Sequence, residues 1–296
     1  MDLRKYSGGR VDEKLLLSLW WYQPYIFSDD IVSGIAPTWF LPGCNKSIIK
    51  RSDCPKYFDR FWRLSNQAAQ MYRNWFDVLC DTSGINLNQA SLFEIACNTG
   101  YFLFLGRMRG IGYCVGIDKA DLLLQRSILS DLTGIRDIDF REGRWLSESH
   151  SIEGLQSHET FDLVIATAFF QHVSDPLHLL RELSCRTRKA LLLHTQIESY
   201  PRILQVGARL TQKAYLLNSL MRRRQTREMK ITYFAEDHHK KWGDVFPNNF
   251  DTFVSKPLLL HSLKECGFRK IVEVPWSRDW PPRWWYRQFI TLVCLK

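Results

Sequence analysis

The sequence predicts an α/β fold, in which strands and helices alternate around a mainly parallel sheet. Short apolar runs that suit buried strands occur at residues 92–95, 113–117, 161–166 and 190–193. Helix-compatible stretches lie between them, and turn-forming residues separate the two kinds of segment. The length of 296 residues fits either about two domains or one elaborated α/β domain.

The rest of the chain is organised around the strand, turn and helix of residues 92–109. Residues 92–95 are an apolar run that contains one acid, Glu94, and residues 96–100 are small or turn-forming. A helix-compatible stretch then runs from Tyr101 to Arg109. Backbone N–H groups at the start of such a helix attract anionic or polar ligand groups, so we expect the functional site at this turn.

The next predicted strand, residues 113–118, ends in Asp118. This acid follows the turn by roughly 20 residues, the spacing at which nucleotide-binding α/β units bind ribose hydroxyls. Two hydroxyls need two acceptors, and one carboxylate provides both. The spacing therefore predicts that Asp118 binds a ribose.

The turn itself resembles a known motif. Glu94-x-Ala96-x-Asn98-x-Gly100 is similar to the first motif of the class I S-adenosylmethionine-dependent methyltransferases, an acid followed by small residues at alternate positions. Ala96 and Asn98 replace two of the three family glycines, and asparagine tolerates a left-handed backbone better than most residues. Residues 96–102, together with Trp21-Tyr22-Gln23-Pro24 upstream, look like the branch similar to bacterial tRNA wobble-uridine methyltransferases. That branch also has members that act on small molecules.

The resemblance implies a Rossmann-like fold of seven strands, the last of them antiparallel, and S-adenosyl-L-methionine as cofactor. Gly100 would allow the close turn, Glu94 would orient the amino-acid end of the cofactor, and Asp118 would accept its ribose hydroxyls. Family members often carry an acid for adenine after the third strand, where this chain has Arg144 and Trp145, so we expect adenine to stack on Trp145. The full set of expected cofactor-binding residues is Glu94, Ala96, Cys97, Asn98, Gly100, Asp118, Lys119, Gly143, Arg144, Trp145, Ala166 and Thr167.

Two other interpretations of the turn stay open. The dinucleotide-binding fingerprint places its last glycine three residues after the second, and this turn does not have that spacing. A ligand-free α/β turn is the simpler alternative, because short motifs often occur without their function.

The resemblance also sets the expected domain organisation. Residues 1–85 would form an aromatic N-terminal cap and an amphipathic helix over 55–81, and residues 86–296 the methyltransferase domain. In the family the N-terminal segment covers the cofactor as a lid, although its aromatic rings could equally cover an edge of the sheet. Residues 197–253 would be a substrate-cap insertion that contains the basic run Arg222–Arg227.

The remaining elements follow in order along the chain. We predict helices over 119–132, from Ser174 or Asp175 with good capping to Arg186, and over 256–266. Strands are expected at 138–142, 161–166 and 190–195, and a terminal pair at 268–274 and 289–295 is separated by a loop rich in tryptophan and arginine. His172 and His194 would lie at the tips of neighbouring strands, where a neutral imidazole suits a general base or an acceptor-orienting group. Each could instead cap a strand or helix end.

Composition limits the remaining possibilities. The net charge of +9 favours an anionic partner, such as a carboxylate, a phosphate, RNA or an acidic lipid surface, although solubility alone could explain it. The eight cysteines are scattered without a C-x-x-C pair, so we expect buried thiols rather than disulfides or a metal site. No signal peptide or apolar run of about 18 residues is present, which indicates a cytoplasmic protein without a membrane partner.

Three functions therefore compete. The first is O-methylation, or methylation at nitrogen or carbon, of a small or medium-sized molecule, favoured by the aromatic content of 14% and the capping insertion. The second is tRNA methylation, favoured by the resemblance and the charge. The third is a degenerate cofactor-binding domain, suggested by the replaced glycines. The sequence does not identify the acceptor or the oligomeric state.

Overall fold

The computed structural model describes residues 1–6, 12–34, 47–197, 231–235, 250–275 and 289–296. These residues form two compact units, which are divided between Arg144 and Trp145. The predicted domain boundary at residue 85 lies inside the first unit and stays a prediction. Arg222–Arg227 and the aromatic loop at 276–285 lie outside the described residues.

The first unit contains helices α1–α4 and strands β1–β5. Its helices are α1 (Glu13–Ser18), α2 (Pro55–Ser83), α3 (Tyr101–Met108) and α4 (Leu123–Thr133). Its strands are β1 (Ile31–Ser33), β2 (Ile48–Lys50), β3 (Ser91–Ile95), β4 (Tyr113–Asp118) and β5 (Ile138–Glu142).

The second unit contains strands β6–β13 and helices α5 and α6. Its strands are β6 (Trp145–Leu146), β7 (Ser151–Ile152), β8 (Phe161–Thr167), β9 (Thr187–Gln196), β10 (Ile231–Ala235), β11 (Phe250–Val254), β12 (Lys270–Glu273) and β13 (Phe289–Leu295). Its helices are α5 (Pro176–Arg186) and α6 (Lys256–Glu265). No helix in the described part of the chain combines the length and apolar character needed to cross a bilayer.

One sheet has seven strands in the order β12-β13-β9-β8-β3-β4-β5. Strands β3, β4 and β5 pair in parallel, as do β8 and β9, whereas β13 runs antiparallel to both β9 and β12. This arrangement confirms the expected seven-stranded class I methyltransferase fold with an antiparallel last strand. Strands such as β3 and β8 are buried almost throughout, in keeping with their continuous apolar sequences.

Helix α2 has the periodic apolar pattern from which the sequence predicts it. Its apolar side chains recur every three or four residues and are buried along one face, including Phe58, Phe61 and Trp75. Pro55 stands in its first turn, where the missing N–H is harmless. Gly84 ends the helix in a left-handed conformation with φ of 61°.

One helix start and one helix cap differ from expectation. Helix α4 begins at Leu123 rather than Lys119, because the Asp118 and Asp121 carboxylates accept the Ala120 and Leu123 N–H groups in turns that precede the helix. Asp175 occupies the cap position of α5, but its side chain accepts no backbone N–H there. The expected capping at Asp175 is therefore wrong.

Short antiparallel ribbons were also missed. Strands β1 and β2 pair within the N-terminal segment, where no strand was predicted, and β6 pairs with β7. Strand β10 pairs with β11 inside the predicted insertion. Strands β1, β2, β6 and β7 have only two or three residues, which is too short to show an alternating pattern.

Candidate functional site

The turn after β3 has an unusual backbone at every second position. Ala96 and Asn98 both have φ of 52°, and Gly100 has φ of 84°. These are the three positions at which the resembled family carries small residues. The left-handed conformation therefore persists where glycine is replaced, although it strains a residue that has a Cβ atom.

The packing around Gly100 also leaves no room for a side chain. A Cβ atom at this position would lie 2.7 Å from the ring of Phe140, which is closer than real Cβ contacts. Both its φ and its surroundings therefore favour glycine.

Asp118 fixes the same turn from the end of β4. One of its carboxylate oxygens accepts the Asn98 N–H at 2.7 Å, and the other accepts the Ala120 N–H at 2.8 Å. Burial raises the pKa of Asp118, while these backbone hydrogen bonds and Arg126 act in the opposite direction. Each carboxylate oxygen has a further lone pair, so these bonds leave acceptor capacity for hydroxyl groups.

Glu94 is buried beside this turn with an exposed fraction of 1%. Its Oε2 atom has no hydrogen-bond partner within the described part of the chain. Burial raises the pKa of Glu94 well above its ordinary value, the Asp118 carboxylate adds to the rise, and Arg126 opposes it. A buried acceptor without a partner fits a cationic donor such as the ammonium group of S-adenosylmethionine.

Arg126 is a site residue that sequence reasoning missed. Its Nε and Nη2 atoms donate to the Asn98 carbonyl at 3.1 and 2.7 Å, and its guanidinium lies 4.4 Å from the centre of the Phe140 ring. Its exposed fraction is 7%. In the sequence it is one basic residue of an amphipathic helix, and nothing in its spacing marks it as buried.

The N-terminal segment contacts the turn through Gln23. The Gln23 Oε1 atom accepts from the Thr99 hydroxyl at 2.6 Å and from the Tyr101 N–H at 3.2 Å, and its Nε2 atom donates to the Cys97 carbonyl at 3.3 Å. The Tyr25 hydroxyl bonds to Thr99 at 2.7 Å. Gln23 was part of the Trp-Tyr-Gln-Pro resemblance, but its role in the turn was not foreseen.

Cys97 contributes through its backbone. Its N–H donates to the Ile117 carbonyl at 3.0 Å, and its carbonyl accepts from the Gly100 N–H at 2.8 Å. The thiol is fully buried, and burial raises its pKa well above the ordinary value. A thiol in this state is a poor nucleophile.

Three other expected cofactor residues also belong to the first unit. The Gly143 N–H donates to the Asp118 carbonyl at 3.2 Å, which ties the end of β5 to the end of β4. Lys119 and Arg144 have exposed side chains. Their contact with a cofactor stays a prediction.

Trp145 lies in the second unit with an exposed fraction of only 4%. Its indole N–H donates to Asp175 Oδ1 at 2.8 Å, and its ring stacks on His150 with a centroid distance of 6.4 Å. The ring is therefore buried rather than open to a ligand. Adenine stacking on Trp145 stays a prediction that this burial does not support.

Ala166 and Thr167 end β8. Ala166 is fully buried, and Thr167 pairs with His194 in the register of β8 and β9. The next residue, Ala168, has φ of 55°, and its N–H donates to the His194 carbonyl at 2.9 Å. The exit from β8 is thus a second place where a residue other than glycine is held in a left-handed conformation.

His194 is poorly suited to remove a proton. It is buried, its Nδ1 atom lies 2.9 Å from the Thr291 hydroxyl, and its ring stacks on Phe289. Burial lowers the pKa of His194 to about 3. The ring therefore stays neutral at ordinary pH and is a weak base.

His172 differs from His194 because it is only half-buried, at the end of the short 3-10 turn Phe170–His172. Its Nε2 atom lies 3.1 Å from the Gln171 side-chain nitrogen. An amide nitrogen can only donate, so Nε2 would be the acceptor and Nδ1 would carry the proton. The Thr195 hydroxyl in turn donates to Gln171 Oε1 at 3.3 Å.

Comparisons with known proteins find only distant structural similarity. No protein-family model matches the chain, and no curated protein matches it significantly. The N-terminal domain of EvdMO1 with SAH bound is 15% identical, with 80% of this chain and 83% of that chain covered and a TM-score of 0.49. Magnesium protoporphyrin IX methyltransferase from Synechocystis PCC 6803 with bound SAH is 13% identical, with 80% and 87% covered and a TM-score of 0.48.

An S-adenosylmethionine-dependent methyltransferase from Mesorhizobium loti is 12% identical, with 75% of this chain and 98% of that chain covered and a TM-score of 0.47. These similarities do not single out the branch of tRNA wobble-uridine methyltransferase-like proteins. The strand order alone carries the fold assignment: the chain has the fold of the class I S-adenosylmethionine-dependent methyltransferases.

Proposed function

We propose that the protein binds S-adenosylmethionine at the turn after β3 and transfers its methyl group to a small or medium-sized acceptor, most readily to an oxygen atom. The carrying observation is the buried Glu94 carboxyl, which has an oxygen without a partner beside a turn with three left-handed positions. An ordinary structural turn has no need of an unpaired buried acid, which is costly to fold around.

The residues of the first unit have complementary roles in this proposal. Glu94 accepts from the ammonium group of the cofactor, and Asp118 accepts from the ribose hydroxyls. Gln23 and Arg126 hold the Cys97 and Asn98 carbonyls and so keep the turn in shape. When bound, the cofactor supplies an electrophilic methyl group on a sulfonium ion.

The protein's contribution to the reaction would be alignment of the acceptor and exclusion of water. The buried rings of Trp21, Tyr25 and Tyr101 around the turn suit the second task. An acceptor that ionises readily needs no base, and for one that does not the proposed base is His172, whose Nε2 atom would have to exchange its Gln171 hydrogen bond for the acceptor's proton. The tRNA alternative is favoured by the net charge of +9.

Transfer of a labelled methyl group tests the proposal. Purified protein with methyl-labelled S-adenosylmethionine and a cell extract should place label in the low-mass fraction, and Asp118→Ala should not. If the label instead enters a large product that ribonuclease degrades to small fragments, the tRNA alternative would be favoured. Cofactor binding without label in either fraction would support the degenerate binding domain.

A further inference from the structure

Three side chains of the second unit form a cluster of metal-ligating groups that the proposed function does not use. His150 lies between β6 and β7, Asp175 precedes α5, and His178 is in the first turn of that helix. One potential ligand atom from each lies within 4.8 Å of the others. The His150 Nε2 and Asp175 Oδ2 atoms are 3.5 Å apart.

Asp175 provides the independent sign that the cluster lacks a component. Its Oδ1 atom accepts from the Trp145 indole N–H at 2.8 Å and from the Ser147 hydroxyl at 3.0 Å. Its Oδ2 atom is buried and has no hydrogen-bond partner within the described part of the chain. The side chain does not cap α5 either. A buried carboxylate oxygen that accepts no hydrogen bond is unfavourable unless a cation faces it.

The ligand set suits a transition metal. Two imidazoles and one carboxylate form the protein part of zinc sites that keep a fourth position for water. Tetrahedral zinc with bonds of about 2.0–2.2 Å places its ligand atoms roughly 3.3–3.6 Å apart, and the His150–Asp175 separation already has this value. The two hydrogen bonds to Oδ1 resemble the outer-shell contacts that orient metal-ligating carboxylates.

The imidazoles require one adjustment. The His150 and His178 rings are stacked with a centroid distance of 3.9 Å and an interplanar angle of 3°. A metal ion lies in the plane of each ring that binds it, so the rings must turn out of this parallel arrangement. Both side chains are exposed, which leaves room for that rotation.

His150 also has an unusual backbone conformation. Its φ of 50° is left-handed, which is uncommon for a residue with a Cβ atom. The imidazole on this backbone lies 3.5 Å from Asp175 Oδ2 and is about half exposed. A stacked histidine pair alone would not explain why the neighbouring carboxylate oxygen accepts no hydrogen bond from the described part of the chain.

We infer that His150, Asp175 and His178 bind a divalent transition-metal ion such as Zn²⁺, with water at the fourth position. The ion joins the β6–β7 ribbon to the start of α5 and satisfies the buried Asp175 oxygen. The inference does not rest on the proposed methyl transfer, because its test measures metal binding directly.

The test is calorimetric titration of chelator-treated, full-length protein with Zn²⁺ alone. The wild type should bind zinc, and His150→Ala and His178→Ala should each weaken the affinity of this site by at least about 10-fold. Ser147→Ala, which removes one hydrogen bond to Asp175, should weaken it by about 10-fold or more. The exposed His158→Ala in the same unit is the matched control and should bind zinc like the wild type.

Thermal unfolding provides the second measurement. Zn²⁺ should raise the Tm of the wild type and of His158→Ala, but not that of His178→Ala, whose exposed position makes correct folding straightforward to retain. Cysteine thiols are untouched by these variants, so zinc bound only at thiols would leave all affinities equal. Equal zinc affinity in His150→Ala, His178→Ala and the wild type, or no zinc binding by the wild type, would overturn the inference.

Discussion

At the residue scale, the Glu94 carboxyl group is buried, so its charged form is poorly solvated. Burial and the Asp118 carboxylate raise its pKa, so the folded state binds its proton more tightly than the unfolded chain does. The native state therefore loses stability as the pH rises above the ordinary glutamate pKa of about 4.3 toward the raised value. The same carboxyl is the proposed partner of a cationic ligand group.

Glu94→Gln should therefore separate stability from binding. At neutral pH the variant should be more stable than the wild type by about 1–3 kcal/mol, because no buried acid has to be kept protonated or left unpaired. It should also bind S-adenosylmethionine more weakly. Urea unfolding between about pH 5 and 8 measures the first effect, and calorimetry the second. The exposed Glu265→Gln should change neither, and equal stability of Glu94→Gln and wild type would contradict the account.

The two candidate histidines should respond differently to replacement. Because the pKa of His194 is lowered to about 3, its ring does not titrate between pH 6 and 9, and His194→Asn should keep the pH profile of turnover. The variant should lose about 1–3 kcal/mol of stability through the disturbed Thr291 contact. In the wild type, His194 binds a proton in the unfolded chain but not in the folded one as the pH falls below about 6.5, which lowers the free energy of unfolding. The variant should lack this contribution.

His172→Ala is the contrasting variant. If His172 is the base, its removal lowers kcat and abolishes the loss of activity on the acidic side of the profile. The profile would be measured with the acceptor fraction identified by methyl labelling. A pH profile that changes in His194→Asn and not in His172→Ala would reverse the two assignments.

At the scale of elements, the turn after β3 combines strain with many hydrogen bonds. Ala96 has φ of 52° although it is not glycine, so Ala96→Gly should relieve strain and stabilise the fold by up to about 1 kcal/mol. Ala68→Gly in helix α2 should instead destabilise it by about 1 kcal/mol. Chemical denaturation of both variants measures the two signs. Destabilisation by Ala96→Gly would mean that the left-handed turn is not formed in solution.

Elements were predictable where a pattern repeats over several turns or alternations. Helix α2 and strands β5 and β8 were predicted within two residues of their bounds, because their burial follows a regular period or an unbroken apolar run. The ribbons β1–β2 and β6–β7 are too short to have a period. Asp175 looked like a helix cap, but its carboxylate is taken by Trp145 and Ser147, which lie about 30 residues away in sequence.

The residues of the candidate site also divide into those that a sequence pattern indicates and those that it does not. Glu94, Asn98, Gly100 and Asp118 could be identified because they lie at a fixed spacing along two strands and a turn. Gln23 is separated from Cys97 by 74 positions in sequence, and Arg126 from Asn98 by 28 positions. Only the folded chain reveals these contacts. The burial of Trp145 likewise depends on a partner that its neighbours in sequence do not indicate.

At the scale of the whole molecule, the net charge of +9 separates the two acceptor classes. A protein that neutralises several RNA phosphates loses affinity by orders of magnitude between about 50 and 200 mM salt, whereas one that binds a single anionic group does not. We expect weak tRNA binding in a filter or fluorescence assay at low salt. Tight binding that collapses as salt rises, with methyl incorporation into tRNA, would contradict the small-acceptor proposal.

Calorimetric titration with S-adenosylmethionine tests the central claim, that the turn after β3 and Asp118 form a cofactor site. The wild type should bind the cofactor, and Asp118→Ala, shown to be folded by circular dichroism, should bind it more weakly by roughly 1–3 kcal/mol. Asp121→Ala is the matched control, because this exposed acid lies three residues away and its side chain accepts only the Leu123 N–H in the turn before α4. Failure of the wild type to bind, or unchanged affinity in a folded Asp118→Ala variant, would contradict the account.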